Sequence, residues 1–268
     1  MRARACVETR LEPADHRGRT RSRLATLRSE PPLILRPIVG NGAEPWVQGD
    51  RDAVRIALTA GAAGPVGGDQ LDLTVHVGCG STLVLSEISH TLLLPSHDNA
   101  TSTTTFHVIV EAGATLIWLP EPIIAAHRCD HINTVDITLA EGARLMVREE
   151  LLLGRHLEPS GRLRQRTRVT ADQQPLFHQD LQLGDQSSRT PAVAANYRAV
   201  GSILVVDPAW TTATRPAPLR LTDSAALMPL ARNAVLISAV AADSHDLRTA
   251  LNVGIAALGP PWDPRRPR

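Results

Sequence analysis

Residues 66–87 read VGGDQLDLTVHVGCGSTLVLSE. Apolar and polar residues alternate through QLDLTVHV, a glycine-rich turn follows, and a second apolar run begins at once. A period of two sends successive side chains to opposite faces, so the stretch predicts two strands joined as a hairpin. The same pattern returns at 108–121, VIVEAGATLIWLPE, and at 137–150, ITLAEGARLMVREE. Matching the turns makes Gly80, Gly113 and Gly142 equivalent, 33 and 29 residues apart. Each is expected to supply the positive φ of a tight turn. The small residue after each, Ser81, Ala114 or Ala143, leaves room for a neighbouring layer. Units spaced by about 30 residues bury their faces on one another, which predicts a stacked, mainly β architecture.

Each copy ends in acid: Glu87, then Glu121, then Glu149 and Glu150. Stacked units would align some of these carboxylates into a column able to hold a divalent cation. Equally, they would make a solvated edge that discourages strand pairing. Both readings stand at this point.

The remaining text fits the same class. Strands are expected at 19–28, 31–39 and 53–61, a loop at 41–50, and a hairpin at 161–184 turning at ADQQP. Buried strands follow at 201–208 and 233–241, and SHDLRTALNVGIAAL (244–258) reads as a short helix with Ser244 as its N-cap. Residues 1–18 are expected to be flexible and the tail 259–268 frayed. Leu92, Leu93 and Leu94 are either an exposed partner surface or the end of an internal strand.

Composition narrows the function. The 268 residues are 43% hydrophobic with a net charge of +1, which gives no global attraction to nucleic acid or an anionic membrane. All 28 basic residues are arginine, so lysine chemistry is excluded. Three cysteines without a CxxC pair fit a reducing compartment. The basic N-terminus lacks the apolar run of a signal peptide, and the expected location is the cytoplasm. No nucleophile elbow, dinucleotide fingerprint or P-loop is present.

Two constellations remain. In HRCDH, the side chains of His127, Cys129 and His131 would share one face of a strand, a donor set suited to zinc, nickel or copper. Neighbours on one strand face stand about 7 Å apart, so chelation would need a bulge or a further ligand. In GGD, Gly67 and Gly68 make a tight turn and Asp69 can bond nearby amides. Glu149 and Glu150 as the acid and base of a polysaccharide-active β-solenoid would point to opposite faces, and 3% aromatic content offers few platforms for sugar rings.

Taken in order, VGGDQLDLTVHVGCGSTLVLS, AGATLIWLPEPII and LAEGARLMVREELLLGR resemble the UreD/UreH family of urease accessory proteins. The likeness covers most of residues 3–258. It implies a single domain built as an irregular β-helix-like stack of sheets, with short helices near the C-terminus. It also implies a non-catalytic scaffold that joins UreF-like and UreG-like partners and apo-urease, nucleotide chemistry belonging to the GTPase UreG. No cofactor is tightly bound on that picture, and nickel passes in transit. By position, Gly67, Gly68 and Asp69 match the family's GGD turn, and Trp118, Leu119, Pro120 and Glu121 its WLP-Q/E segment. Leu153, Gly154 and Arg155 match its LGR segment. Asp69, Glu121 and Glu149 are then the candidates for lining a nickel path, with Arg155 as a partner for a buried carboxylate. The alternative is a standalone metal chaperone built on His127, Cys129 and His131.

Overall fold

A computed structural model of the chain describes residues 1–14, 16, 20–40, 53–184, 190 and 193–262. The loop expected at 41–50 lies outside the described residues. In chain order the strands are β1 (Arg2–Glu12), β2 (Arg21–Arg28), β3 (Leu33–Pro37), β4 (Val54–Ala60), β5 (Gln70–Val77) and β6 (Thr82–Glu87). Then come β7 (Thr91–Leu93), β8 (Ser102–Val110), β9 (Thr115–Leu119), β10 (Ile123–Ala125), β11 (Asp130–Leu139) and β12 (Arg144–Leu153). The chain continues with β13 (Arg162–Ala171), β14 (Gln174–Leu183), β15 (Ala199–Val206), β16 (Leu219–Thr222), β17 (Ala225–Pro229) and β18 (Ala234–Ala241). Among the described residues a single helix, α1 (Ser244–Leu258), follows.

The strands form two facing sheets. One has seven strands in the order β14-β13-β11-β8-β5-β1-β2; the other runs β16-β17-β18-β15-β12-β9-β6-β4-β3. The repeated unit is therefore not a hairpin. β5, β8, β11 and β13 pair in parallel within the first sheet, and β6, β9 and β12 pair in parallel within the second. Each glycine turn carries the chain from one sheet to the other, because both strands of a copy are apolar toward the space between the sheets. The result is a β-solenoid. Short β7 and β10 belong to the larger sheet: they pair in parallel with each other, and β10 pairs in parallel with the end of β12 beyond β9.

The turns stack on one another. Gly80, Gly113 and Gly142 have φ of 65°, 65° and 70°. Gly80 N–H donates to Ala112 O at 3.0 Å and Gly113 N–H to Glu141 O at 3.1 Å. Ser81, Ala114 and Ala143 are buried against the neighbouring coil.

The main core fills the space between the sheets, with Leu73, Leu85, Leu116, Ile137 and Leu145 at its centre. A second core lies on the outer face of the larger sheet, where α1 packs Leu247, Leu251 and Ile255 against β15 and β18. The helix cap is Asp243, whose side chain accepts from Asp246 N–H, so the expected Ser244 cap is displaced by one residue. Among the described residues no helix is long and apolar enough to cross a membrane.

Residues 2–12 and 259–262, expected to be flexible or frayed, are built into the fold. Residues 2–12 form β1, which lies parallel to β5 and sends Ala3, Ala5 and Val7 into the core. The dense arginines of this stretch hid that alternation. In the tail, Trp262 is fully buried and its indole N–H donates to Asp207 at 2.9 Å. The 161–184 hairpin turns at Asp172 and Gln173, both at positive φ as a two-residue hairpin turn demands. Of the leucine triplet, Leu93 is fully buried in a third small core, so that run is an internal strand end.

A Cβ at Gly113 would meet nothing within 4 Å, so only backbone strain opposes substitution there. Gly113→Ala should lower unfolding stability by about 1–2 kcal/mol. Urea denaturation should show an unchanged slope and a lower midpoint.

Candidate functional site

The space between the sheets changes character along its length. On the smaller sheet the inward residues begin as Val110 and Val108 on β8, Leu139 and Ile137 on β11, and Ala171 and Val169 on β13. Further along the same strands they become Thr104 and Ser102, Asn133 and His131, and Thr167 and Gln165, all buried. On the facing sheet, Leu85 gives way to Glu87 on β6 and Val147 to Glu149 on β12. Phe106 and Trp118, with ring centroids 4.8 Å apart, stand at the boundary. Beyond them lies a polar chamber with a cavity of about 100 Å³, room for several waters.

Hydrogen bonds organise the chamber walls. Ser102 Oγ and His131 Nδ1 are 2.8 Å apart, and Asn133 donates to Gln165 at 2.9 Å. Glu149 reaches across from the larger sheet: its Oε1 accepts from Gln165 at 2.8 Å and from the Thr167 hydroxyl at 2.5 Å. Among the described residues, two buried polar atoms facing this region, Glu87 Oε2 and Trp118 Nε1, have no hydrogen-bond partner. Burial holds the Glu149 carboxyl above the ordinary range despite its two donors, and pushes His131 down to about 4. Glu87 is pushed up to about 8, first by burial and then by the charge of Glu121.

The larger sheet has a window beside this chamber. Trp118 pairs with Val147, and Ile123 with Leu151. The stretch from Trp118 to Ile123 thus holds one residue more than its partner, and it contains Pro120 and Pro122, neither of which can donate to the ladder. Outside the window sits a group of charges. Arg148 Nε is 2.8 Å from Glu150 Oε1, and Arg148 donates to Pro120 O at 2.8 Å. Arg248, from α1, lies 2.5 Å from Glu150 Oε1 and 3.2 Å from Glu121 Oε2, and His90 Nε2 is 3.7 Å from Glu121 Oε2. Burial raises the Glu150 carboxyl and lowers Arg148, each effect opposed by the charge of the other.

The acidic residues that close the repeats therefore divide. Glu87 and Glu149 face the chamber, whereas Glu121 and Glu150 lie on the outer side of the window. Asp69 is occupied by its own turn, where Oδ2 accepts from Val66 N–H at 2.9 Å and Oδ1 lies 2.8 Å from the Met1 amino group. Gly68 has φ of 85°, and a side chain on Gly67 would collide with Ser96 and Ala100. Leu119 packs on the second core. Leu153 ends β12, and Gly154 turns the chain at φ 87°. Arg155 is no partner for a chamber carboxylate: it is exposed and bonds Glu158 at 2.7 Å.

The HRCDH side chains do not share a strand face. His127 is exposed in a turn that Arg128 completes at φ 63°, and only from Asp130 does the chain enter β11. Cys129 is buried in the third core, where burial pushes its thiol up to about 12. His131 faces the chamber. Among the described residues no group of three His, Cys, Asp or Glu side chains stands ready to hold a metal ion. Arg148, Arg248, His90, Asn133 and Gln165 were not singled out from sequence. The available signal was the polar residues at inward phases of β11 and β13.

A solenoid of two parallel-stacked sheets with a polar chamber opening through a proline-broken window defines the class: a β-helix protein whose polar residues are gathered inside. The chain belongs to the UreD family; the model of the UreD urease accessory protein matches residues 4–268. It is 37% identical to the urease accessory protein UreD of Parafrankia sp. (94% of this chain, 87% of that protein). It is 37% identical to UreD of Streptomyces coelicolor (90% and 92%) and 38% identical to UreD 3 of Streptomyces griseus (96% and 98%).

Between pH 4.5, the ordinary value for glutamate, and about 8, the unfolded chain releases the Glu87 proton while the folded chain keeps it. Stability therefore falls as pH rises through that window and levels off above it. Glu87→Gln should remove this slope. Its stability relative to the unaltered chain should rise by more than about 1 kcal/mol between pH 5 and pH 8 in urea titrations. An equal difference at both pH values would mean that Glu87 is ionised in the fold.

Proposed function

We propose that this chain is a non-catalytic scaffold of urease maturation in the cytoplasm. With a UreF-like protein and a UreG-like GTPase it binds apo-urease and assists nickel insertion, the ion passing through the chamber rather than residing in it. The observation that carries this is the buried polar chamber with its window, in a chain of the UreD family. Such a space is polar enough to pass a hydrated cation and has too few converged ligands to keep one. Glu149 inside and Glu121 at the window are the path-lining carboxylates on this view. Asp69 contributes by holding the turn beside Pro65, which lines the same cavity. A hydrolytic role has no support in the geometry, since Glu149 and Glu150 stand on opposite faces of β12 and share no cleft.

The test is co-expression of the tagged chain with the UreF-, UreG- and urease-like proteins of its own genome, followed by pull-down, nickel analysis and urease assay. A complex is expected, with urease active only when this chain is present. Glu149→Ala should assemble normally yet lower urease nickel content at least about tenfold. Full nickel loading by that variant would remove Glu149 from the path. Absence of any complex, with about one metal bound per free chain, would favour a standalone chaperone at His127, Cys129 and His131.

A further inference from the structure

The smaller sheet ends in an open strand. Among the described residues, β14 pairs on one side only, with β13, and it is ten residues long. The larger sheet ends instead in β16 and β3, of four and five residues. The other edge of the smaller sheet, β2, carries Arg21, Arg23 and Arg28. Short strands and basic side chains are the common guards against edge-to-edge pairing. β14 has neither, and its Pro175 stands near the start of the strand, where proline leaves the rest of an edge free to pair. The core is also unfinished along this edge. Gln165, Thr167 and Val169 of β13 are buried, whereas their β14 partners Leu181, Gln179 and Phe177 are only half-buried.

We propose that β14 pairs antiparallel with β14 of a second copy of this chain, about a two-fold axis through Gln179. The strand's own sequence selects that register. Directly opposed residues of an antiparallel pair lie on one face, so a two-fold pairing must centre on a residue to keep inward side chains beside inward ones. Centred on Gln179, Phe177 of each copy meets Leu181 of the other, and His178 meets Asp180. Centring one residue earlier sets imidazole against imidazole and Phe177 against Gln179. Centring one residue later sets the two Asp180 carboxylates against each other, which is destabilising. The Gln179 register alone joins acid to base and apolar to apolar.

The local geometry suits this contact. Arg164 donates to both Asp180 oxygens, at 2.8 and 2.7 Å, and fixes the carboxylate on the outer face. The Asp180 side chain stays partly exposed, and a carboxylate has lone pairs enough for a further donor. Leu176 has no partner on β13, so the regular part of the strand begins at Phe177. Residues 177–181 are therefore the pairing stretch, and they are symmetric about Gln179. β14 also flanks the polar chamber, with Gln179 in register with Thr167 and Leu181 with Gln165. A second strand would cover that flank and continue the smaller sheet through both copies, the isologous contact of a two-fold dimer.

The test is sedimentation velocity of the full chain, without other proteins, over about 1–100 μM. A reversible monomer–dimer equilibrium is expected. His178→Asp should raise the dimer dissociation constant about tenfold, because two acid–acid contacts replace two acid–base contacts across the axis. A chain that stays monomeric throughout overturns the proposal, as does a dimer that His178→Asp leaves unchanged. Should that variant fail to fold, amide hydrogen exchange of the unaltered chain decides. Alternate amides within 177–181 should exchange roughly tenfold more slowly at the top of the concentration range than at the bottom, with β2 unchanged. Equal exchange at both concentrations refutes the interface. Protection of β14 that appears only when another protein is added assigns the edge to that partner and equally refutes self-pairing. None of these readouts involves urease or nickel, so failure here is separate from failure of the maturation role.

Discussion

The structure depends on backbone hydrogen bonds passed from one coil to the next at the glycine turns. Gly80 donates to the turn above it and Gly113 to the one above that, while Thr115 N–H reaches Ser81 O and Arg144 N–H reaches Ala114 O. These bonds fix the register of the parallel pairs among β5, β8 and β11 and among β6, β9 and β12, because a slip of one residue would turn Leu73, Val108 and Ile137 out of the core. Positive φ at the glycine and a small residue after it are what allow turns to lie this close. Coil spacing can still vary, since length differences between copies are absorbed at the opposite end of the strands, around β7 and β10.

That opposite end is where the interior departs from an apolar core. Once the turns set the register, the inward positions at the far end may be polar without disturbing the ladder. The chain places Thr104, Asn133, Gln165 and Glu149 there. Asn133, Gln165 and Glu149 bond in series across the gap, so much of the desolvation cost is met inside the protein. Pro120 and Pro122 then interrupt the larger sheet beside this region. An unbroken β9 would have sealed the chamber behind backbone hydrogen bonds. With the break, Arg148 stands against Pro120 O and the outer charges reach the same cavity.

The repeat was legible because three copies of one turn leave a strong signature in glycine spacing. Its topology was not: strand–turn–strand text fits a hairpin as well as a crossing between sheets. Only the partner of each strand, many residues away, decides between them. The β15, β18 and α1 segments were legible from their apolar runs, whereas β1 was obscured by arginines at its outward phases. The family motifs marked the right neighbourhood of the site, since WLPE contains Pro120, the first of the window prolines, and Glu121. The acidic pattern did not reveal that Glu87 and Glu149 face inward while Glu121 and Glu150 face outward. Arg248 comes from a helix about 100 residues beyond β12, a separation across which sequence pattern carries no information about contact.

A core built only for stability would not contain this chamber. Replacing a buried polar network with well-packed apolar residues is often neutral or stabilising, and here burial lifts three carboxyls, Glu87, Glu149 and Glu150, above their ordinary range. Strands β8, β11 and β13 carry valine, isoleucine and leucine along half their inward face, so apolar filling of the other half was sterically open. Natural chains break such local rules mainly where function requires it. The break is also concentrated. Polar residues at the inward phase, the Glu87 and Trp118 atoms without partners among the described residues, two sheet-breaking prolines and the outer charges all meet at one window, while the opposite end of the solenoid is mainly apolar, its buried Thr9 and Ser81 hydroxyls bonded to each other. Four independent departures in one place indicate that the chamber, more than the stack that surrounds it, is what the fold is arranged to present.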